Sequence, residues 1–131
     1  MKLDCILLID DDTATNFINQ HVIKSFGVDA KIKAFESGST ALDYLSSSLN
    51  KQLGIILLDI NMPGMNGWEF LDEYEKMSPE RRSKIILAML STSVNPDDEQ
   101  KAKQRSSVEK FISKPLKKEH IDLLIKQASL L

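Results

Sequence analysis

Short apolar runs alternate with longer segments of helical period five times along this chain, and this alternation limits the possible folds more than any other feature. The runs are rich in β-branched residues and lie between turn-forming residues, which is typical of strands. Strands that alternate with helices predict repeated βα units around a parallel sheet. The sequence therefore predicts an α/β fold with five strands and five helices.

The predicted strands differ in pattern, and the pattern predicts their place in the sheet. The third and fourth runs are almost continuously apolar, as expected for central strands that helices cover on both faces. The second run alternates apolar and polar residues, which favours a half-exposed edge strand. The predicted strands cover residues 5–9, 28–34, 54–58, 84–90 and 108–112.

The predicted helices follow from apolar residues at helical spacing. In the first of them, one face is predicted to be buried and to carry Phe17, Ile18, Val22, Ile23 and Phe26. The fourth contains almost no apolar residue except Ala102, so we expect it to be weakly anchored. The predicted ranges are 14–26, 39–49, 67–77, 96–104 and 119–131, with a polar linker over 78–83.

Length and charge narrow the class of protein. A chain of 131 residues has the usual size of one domain, so residues 1–131 are predicted to form a single unit. The net charge of -2 offers no basic surplus for nucleic acid. The apolar runs are far shorter than the roughly 20 residues that span a bilayer, and the N-terminus does not resemble a signal peptide. Together with the lone Cys5, these features predict a cytoplasmic protein.

Polar side chains follow four of the predicted strands, where ligand sites of open α/β sheets form. The first strand ends in Asp10, Asp11 and Asp12, and the third is followed by Asp59. Hydroxyl residues 91–93 follow the fourth strand, and Lys114 follows the fifth. Taken singly, each feature has a plainer reading, such as a helix cap, a turn residue or a solvated lysine. Together they predict one rim of carboxylates, hydroxyls and an ammonium group.

This combination of residues suits phosphoryl transfer assisted by a metal ion. Carboxylates that are drawn together repel, and a hard cation such as Mg²⁺ relieves the repulsion. Asp11 and Asp59 can supply carboxylate oxygens, and the loop after Asp59 can supply a backbone carbonyl. Asp59 is the candidate nucleophile, since aspartate carboxylates accept phosphoryl groups. Lys114 and Ser91 can then contact the oxygens of the transferred group.

The sequence resembles the receiver domains of two-component response regulators over essentially its whole length. The resemblance rests on the motifs at residues 6–12, 57–67, 90–93 and 111–116. It implies a flavodoxin-like fold with a sheet of order 2-1-3-4-5. It also implies that Asp10 and Asp11 form the acidic pair, that Asp11 ligates Mg²⁺ directly, and that Asp59 is phosphorylated. Asn61 would give its backbone oxygen to the metal.

The resemblance implies further roles near the ends of the last two strands. Ser91 would bond the phosphoryl group, and Lys114, followed by a cis peptide before Pro115, would pair with it. The interval from Ser91 to Lys114 is about one residue longer than usual, so Thr92 is the alternative hydroxyl. Ser91 and Phe111 would form the switch, where the family more often has threonine and tyrosine.

The resemblance finally implies a stand-alone signalling domain rather than an enzyme, with Mg²⁺-dependent self-phosphorylation and autodephosphorylation as its only chemistry. A sensor histidine kinase or a histidine phosphotransfer protein would donate the phosphoryl group. An output protein would bind the surface of the fourth helix, fifth strand and fifth helix.

Two other functions stay open at this point. The spacing of Asp10 and Asp12 superficially fits the start of a haloacid-dehalogenase-like phosphatase. Ala14 stands where that motif has Thr or Val, and the chain has no room for a cap domain. The other alternative is a phosphorylation-independent binding module, against which the complete set of acidic residues and lysine argues.

Overall fold

The computed structural model describes residues 3–47, 53–92 and 95–131. Within these ranges it contains a five-stranded sheet of order β2-β1-β3-β4-β5, in which neighbouring strands are parallel. The strands are β1 (Cys5–Ile9), β2 (Lys31–Phe35), β3 (Gly54–Asp59), β4 (Ile85–Ser91) and β5 (Lys110–Ser113). The predicted fold class and strand order are confirmed.

The described residues form six helices, so the prediction of five was wrong. They are α1 (Thr13–Ser25), α2 (Gly38–Ser47), α3 (Gly67–Tyr74), α4 (Pro79–Arg82), α5 (Pro96–Lys103) and α6 (Lys118–Ala128). The additional helix α4 lies in the predicted linker, where the Ser78 side chain caps a turn with Pro79 at its first position. The predicted end of the second helix at residue 49 lies outside the described residues. No helix among those described is long and apolar enough to cross a membrane.

Helices cover both faces of the sheet because successive strand residues point to opposite sides. On one face, Leu7, Ile56 and Leu87 belong to a core cluster that also includes residues of α2, α3 and α5. On the other face, Ile6 and Leu57 pack in a cluster with residues of α1 and α6. The nearly continuous apolar runs of β3 and β4 are thus explained, since both faces of these central strands are buried.

Helix α1 buries only part of the predicted face: Ile23 is buried and Phe26 packs against the core, but the prediction was wrong for Phe17 and Ile18. Phe17 is 63% exposed and Ile18 is 58% exposed, whereas Asn16, Asn19 and Ile23 are buried. Polar contacts at the start of the helix account for this rotation: Asp12 caps α1, and the Asn16 side-chain amide bonds two backbone carbonyls next to the sheet. An apolar pattern alone could not predict that asparagines face inward.

Helix α5 is anchored mainly by polar contacts. Ala102 is its only buried residue, as its sequence predicts. Arg105, just beyond the helix, forms ion pairs with Asp72 at 2.7 Å and with Glu75 at 2.8 Å. These pairs connect the segment after α5 to α3, so the helix has more support than its apolar content suggests.

Replacing Tyr74 by phenylalanine should make the fold less sensitive to alkaline pH. Burial raises the pKa of the Tyr74 phenol from 10.0 to about 12. The protonated phenol therefore stabilises the fold fully below pH 10, and this contribution is lost as the pH rises through about 12. A shift of two pKa units corresponds to about 2 to 3 kcal/mol. Urea unfolding between pH 9 and 12 should show a smaller loss of stability in Tyr74→Phe than in the wild type.

The half-buried Tyr44 offers a matched control for this measurement. Tyr44→Phe should retain the alkaline loss of the wild type, because the buried Tyr74 phenol remains. Identical pH profiles for Tyr74→Phe and the wild type would contradict the prediction.

Candidate functional site

Three carboxylates meet at the carboxyl ends of β1 and β3. Asp10 and Asp11 follow β1, and Asp59 is the last residue of β3. One carboxylate oxygen of each lies within 4.8 Å of those of the other two. Asp10 and Asp59 are buried, whereas Asp11 is exposed. The structure therefore brings together the three aspartates that were predicted to share a site.

The Lys114 ammonium group lies against the two buried carboxylates. Its Nζ donates to Asp10 Oδ2 at 3.0 Å and to Asp59 Oδ1 at 3.5 Å. The backbone N–H of Lys114 donates to Ser91 O at 2.8 Å, which ties the segment after β5 to the end of β4. The peptide bond between Lys114 and Pro115 is cis, as expected. Lys114 is thus part of the site rather than a solvated surface charge.

The pKa values of Asp59 and Lys114 reflect this crowded arrangement. Burial raises the pKa of the Asp59 carboxyl, and the Asp10 charge raises it further against the opposing effect of Lys114. Burial by itself lowers the pKa of Lys114, but the hydrogen bond to Asp10 and the charges of both aspartates raise it overall. The lysine is therefore held in its charged form. Further positive charge nearby would stabilise the charged form of Asp59.

The cluster fits a hard divalent cation. Its three candidate ligand groups are all carboxylates, which are the ligands that Mg²⁺ and Ca²⁺ prefer in proteins. Among the described side chains, Lys114 alone forms ion pairs with Asp10 and Asp59, so negative charge is in excess. The exposed carboxylate of Asp11 leaves the cluster accessible from solvent.

The loop after Asp59 forms a tight turn that leads from β3 into α3. Gly64 adopts a positive φ of 76°, and Gly67 N donates to Ile60 O at 2.8 Å. A Cβ atom at Gly67 would lie 2.9 Å from Ile60 Cα and 3.0 Å from Asp59 O, so glycine permits this close approach. Asn61 is exposed at the start of the loop, and its backbone N–H acts to lower the pKa of the Asp59 carboxyl.

The two candidate hydroxyl residues differ in their surroundings. Ser91 is fully buried at the end of β4, next to Leu90, whose backbone pairs with Asp59 in the sheet. Thr92 is exposed. Ser91 also pairs with Ser113, the residue before Lys114. These positions favour Ser91 as the hydroxyl that belongs to the rim, and Ser93 lies outside the described residues.

Phe111 lies on β5, three residues before Lys114. It is half-buried, pairs with Met89 in the sheet and packs against the core cluster on the side of α5. The structure therefore places it against the core cluster that includes Ala102 of α5.

Sequence reasoning missed Asn16, whose side chain holds the backbone of Asp10 in place. Its Nδ2 donates to Asp10 O at 2.8 Å and lies 3.5 Å from Phe35 O. Asp12 caps α1 with its carboxylate, which agrees with the plainer reading of the first strand end as a helix cap. A hydrogen bond from Thr15 lowers the pKa of the Asp12 carboxyl. The available signal was the position of Asn16 in the first turn of α1, four residues after the capping Asp12, which places its side chain near the end of β1.

Comparison with known proteins identifies the family. The family model described as "Response regulator receiver domain" matches residues 6–126. The crystal structure of a two component response regulator from Cytophaga hutchinsonii is 34% identical, with a TM-score of 0.89 over 100% of both chains. A probable methanogenesis regulatory protein from Methanothrix harundinacea is 28% identical, and the match covers 93% of this chain and 79% of that protein.

Other relatives are much longer than this chain. A probable cyclic di-GMP phosphodiesterase from Vibrio cholerae is 33% identical over 86% of this chain, but the match covers only 24% of that protein. The shared part is the receiver region, so the activity named for that relative describes that protein and not this chain.

The matched family consists of phosphoacceptor signalling domains that interact with histidine kinases or phosphotransfer proteins, and its members usually bind Mg²⁺ at an acidic pocket. The comparisons favour neither a haloacid-dehalogenase-like phosphatase nor a phosphorylation-independent binding module. The chain belongs to the response regulator receiver domain family of two-component signal transduction.

Proposed function

We propose that residues 1–131 act as one receiver domain in which Asp59 accepts a phosphoryl group from a phosphohistidine of a sensor kinase or phosphotransfer protein. The observation that carries this proposal is the contact of Lys114 with both Asp10 and Asp59 at the rim where three carboxylates converge. This arrangement offers a nucleophile, a fixed positive charge and a set of metal ligands within a few ångströms of one another.

The transfer step needs no proton from the chain when the donor ring is protonated on its other nitrogen, because the histidine then leaves as neutral imidazole. A carboxylate oxygen of Asp59 attacks phosphorus and forms an O–P bond, while the P–N bond to the donor histidine breaks and the imidazole takes the electron pair. The product is an acyl phosphate on Asp59. Lys114 is positioned to offset negative charge on the transferred group, and Ser91 is the hydroxyl that we assign to its oxygens.

The carboxylates of Asp10, Asp11 and Asp59 and the backbone oxygen of Asn61 are the groups that we assign to Mg²⁺. When bound, the ion would neutralise charge on the phosphoryl oxygens. Thr92 is exposed beside Ser91, and we keep it as the alternative hydroxyl.

We assign the switch to Ser91 and Phe111. Phe111 is half-buried against the cluster that includes Ala102 of α5. A change in its position would therefore alter the packing of that helix. The surface of α5, β5 and α6 is therefore the proposed output face. The cytoplasmic location stays a prediction.

The proposal is tested by incubating the protein with acetyl phosphate and measuring its intact mass. With Mg²⁺ present, we expect one phosphoryl adduct per chain, and with EDTA we expect essentially none. No adduct under either condition would overturn the proposal. Continuous hydrolysis of a phosphomonoester such as p-nitrophenyl phosphate would instead indicate a phosphatase.

A further inference from the structure

The peptide group between Asp10 and Asp11 is held by a side chain from helix α1. Asn16 Nδ2 donates to Asp10 O at 2.8 Å, and the carbonyl of Phe35 lies 3.5 Å from the same nitrogen. Both neighbours of the nitrogen are hydrogen-bond acceptors, so the orientation of the amide is determined. The Asn16 side chain is thereby tied to the ends of β1 and β2.

Asp11 depends on this peptide group for its position. Its carboxylate is exposed and forms no hydrogen bond or ion pair with the residues that the structure describes. Asp10, by contrast, is held through its carboxylate by Lys114 and by the backbone N–H of Asp12. The direction of the Asp11 side chain is therefore determined by the backbone on either side of it. Asn16 holds the peptide group on the N-terminal side, between Asp10 and Asp11.

The same asparagine carries a cost that packing does not explain. Asn16 is 4% exposed, and its Oδ1 is buried without a hydrogen-bond partner among the residues that the structure describes. A buried acceptor left unpaired is destabilising. An apolar residue of similar shape would avoid that cost but would leave Asp10 O without this donor, so the contribution of the asparagine is its hydrogen bond to Asp10 O and not its packing. Such departures from good packing are expected at functional positions.

We propose that Asn16 is a positioning residue, which orients the Asp10–Asp11 peptide so that the Asp11 carboxylate faces Asp59 for metal binding. The proposal rests on the proposed function of the aspartate cluster. Asn16 acts through Asp10 and contacts neither the metal nor the phosphoryl group. Groups that orient the ligands of a metal commonly change metal affinity by about 10- to 100-fold when they are removed.

The test is to measure Mg²⁺ affinity by isothermal titration calorimetry on Asn16→Leu, which preserves the approximate shape of the side chain but cannot donate. We expect Mg²⁺ to bind about tenfold more weakly, with a small change in melting temperature because the unpaired Oδ1 is removed as well. The backbone amide NMR signals of Asp11 and Asp12 should shift in the metal-free protein. A purely structural role would change the melting temperature and leave the affinity unaltered.

Asn19→Leu is the matched control, because Asn19 is also a buried asparagine on α1. It should bind Mg²⁺ as the wild type does. If Asn16→Leu does not fold, Asn16→Ser is used instead, since its shorter side chain does not reach Asp10 O, and the same loss of affinity is expected. Mg²⁺ binding within twofold of the wild type in the folded variant would overturn the inference. Failure of the wild type itself to bind Mg²⁺ would count against the proposed function.

Discussion

Asp59→Asn should abolish the phosphoryl adduct that forms on the wild-type protein with acetyl phosphate and Mg²⁺. An amide oxygen is a much poorer nucleophile than a carboxylate, and the product would not be an acyl phosphate. The variant should nevertheless fold, because the pKa of Asp59 is raised by burial and by the Asp10 charge, so removal of its negative charge relieves repulsion. Intact-mass measurement and thermal unfolding of the same sample test both expectations.

Asp12→Asn is the matched control for this substitution. Asp12 lies on the same rim, but it caps α1 and is not part of the three-carboxylate cluster. Asparagine is as good a helix cap as aspartate, so this variant should fold and still accept one phosphoryl group. An adduct of equal yield on Asp59→Asn would refute the assignment of Asp59 as the acceptor.

Lys114→Met should destabilise the metal-free protein strongly at neutral pH. The substitution removes the ammonium group that contacts Asp10 at 3.0 Å and Asp59 at 3.5 Å, and both carboxylates are buried. Removing one partner of a buried ion pair leaves an uncompensated charge and costs about 3 to 5 kcal/mol. Saturating Mg²⁺ should restore part of this stability, since it would supply positive charge to the same carboxylates. Urea unfolding at pH 7 with Mg²⁺ or EDTA measures both effects.

The loss of stability in Lys114→Met should also depend on pH. The folded-state pKa of Asp59 is raised above its ordinary value of 3.8, and the loss of Lys114 raises it further. A carboxyl group whose pKa is raised by folding does not destabilise the fold while it is protonated in both the folded and the unfolded state. The free energy of unfolding falls as the pH rises through the folded-state pKa. The difference in stability between variant and wild type should therefore be smaller at pH 4 than at pH 7.

Lys118→Met provides the control for Lys114→Met. Lys118 is exposed and pairs with Asp122 at 3.3 Å on the surface of α6. Surface pairs of this kind contribute little to stability, so the control should unfold close to the wild type at both pH values. If Lys114→Met were as stable as Lys118→Met at pH 7, the lysine would not be neutralising the buried aspartates.

Much of the sheet could be predicted because its signals are local. β1 has the predicted bounds of residues 5–9, and the two most apolar runs form the central strands. β2 lies at an edge, as its alternating pattern predicts, but it begins at Lys31 rather than at residue 28. The third helix ends at Tyr74, before the predicted residue 77, and the following polar segment forms α4. Helix ends depend on individual capping contacts, which periodicity does not predict.

The sequence alone determined the fold class and the residues present at the rim. The ends of parallel strands meet at one edge, so Asp10, Asp11, Asp59 and Lys114 could be assigned to one site before their distances were known. Periodicity and residue type are local properties, and they suffice for that inference.

Only the tertiary structure decided which of these groups touch and how they are held. It placed Lys114 against Asp10 across 104 positions of sequence separation, buried Ser91 while it left Thr92 exposed, and turned Asn16 toward Asp10. Each of these results depends on how a strand end or helix is rotated against its neighbours. That rotation is determined by packing and hydrogen bonds among distant residues, and no local pattern of apolar residues contains it.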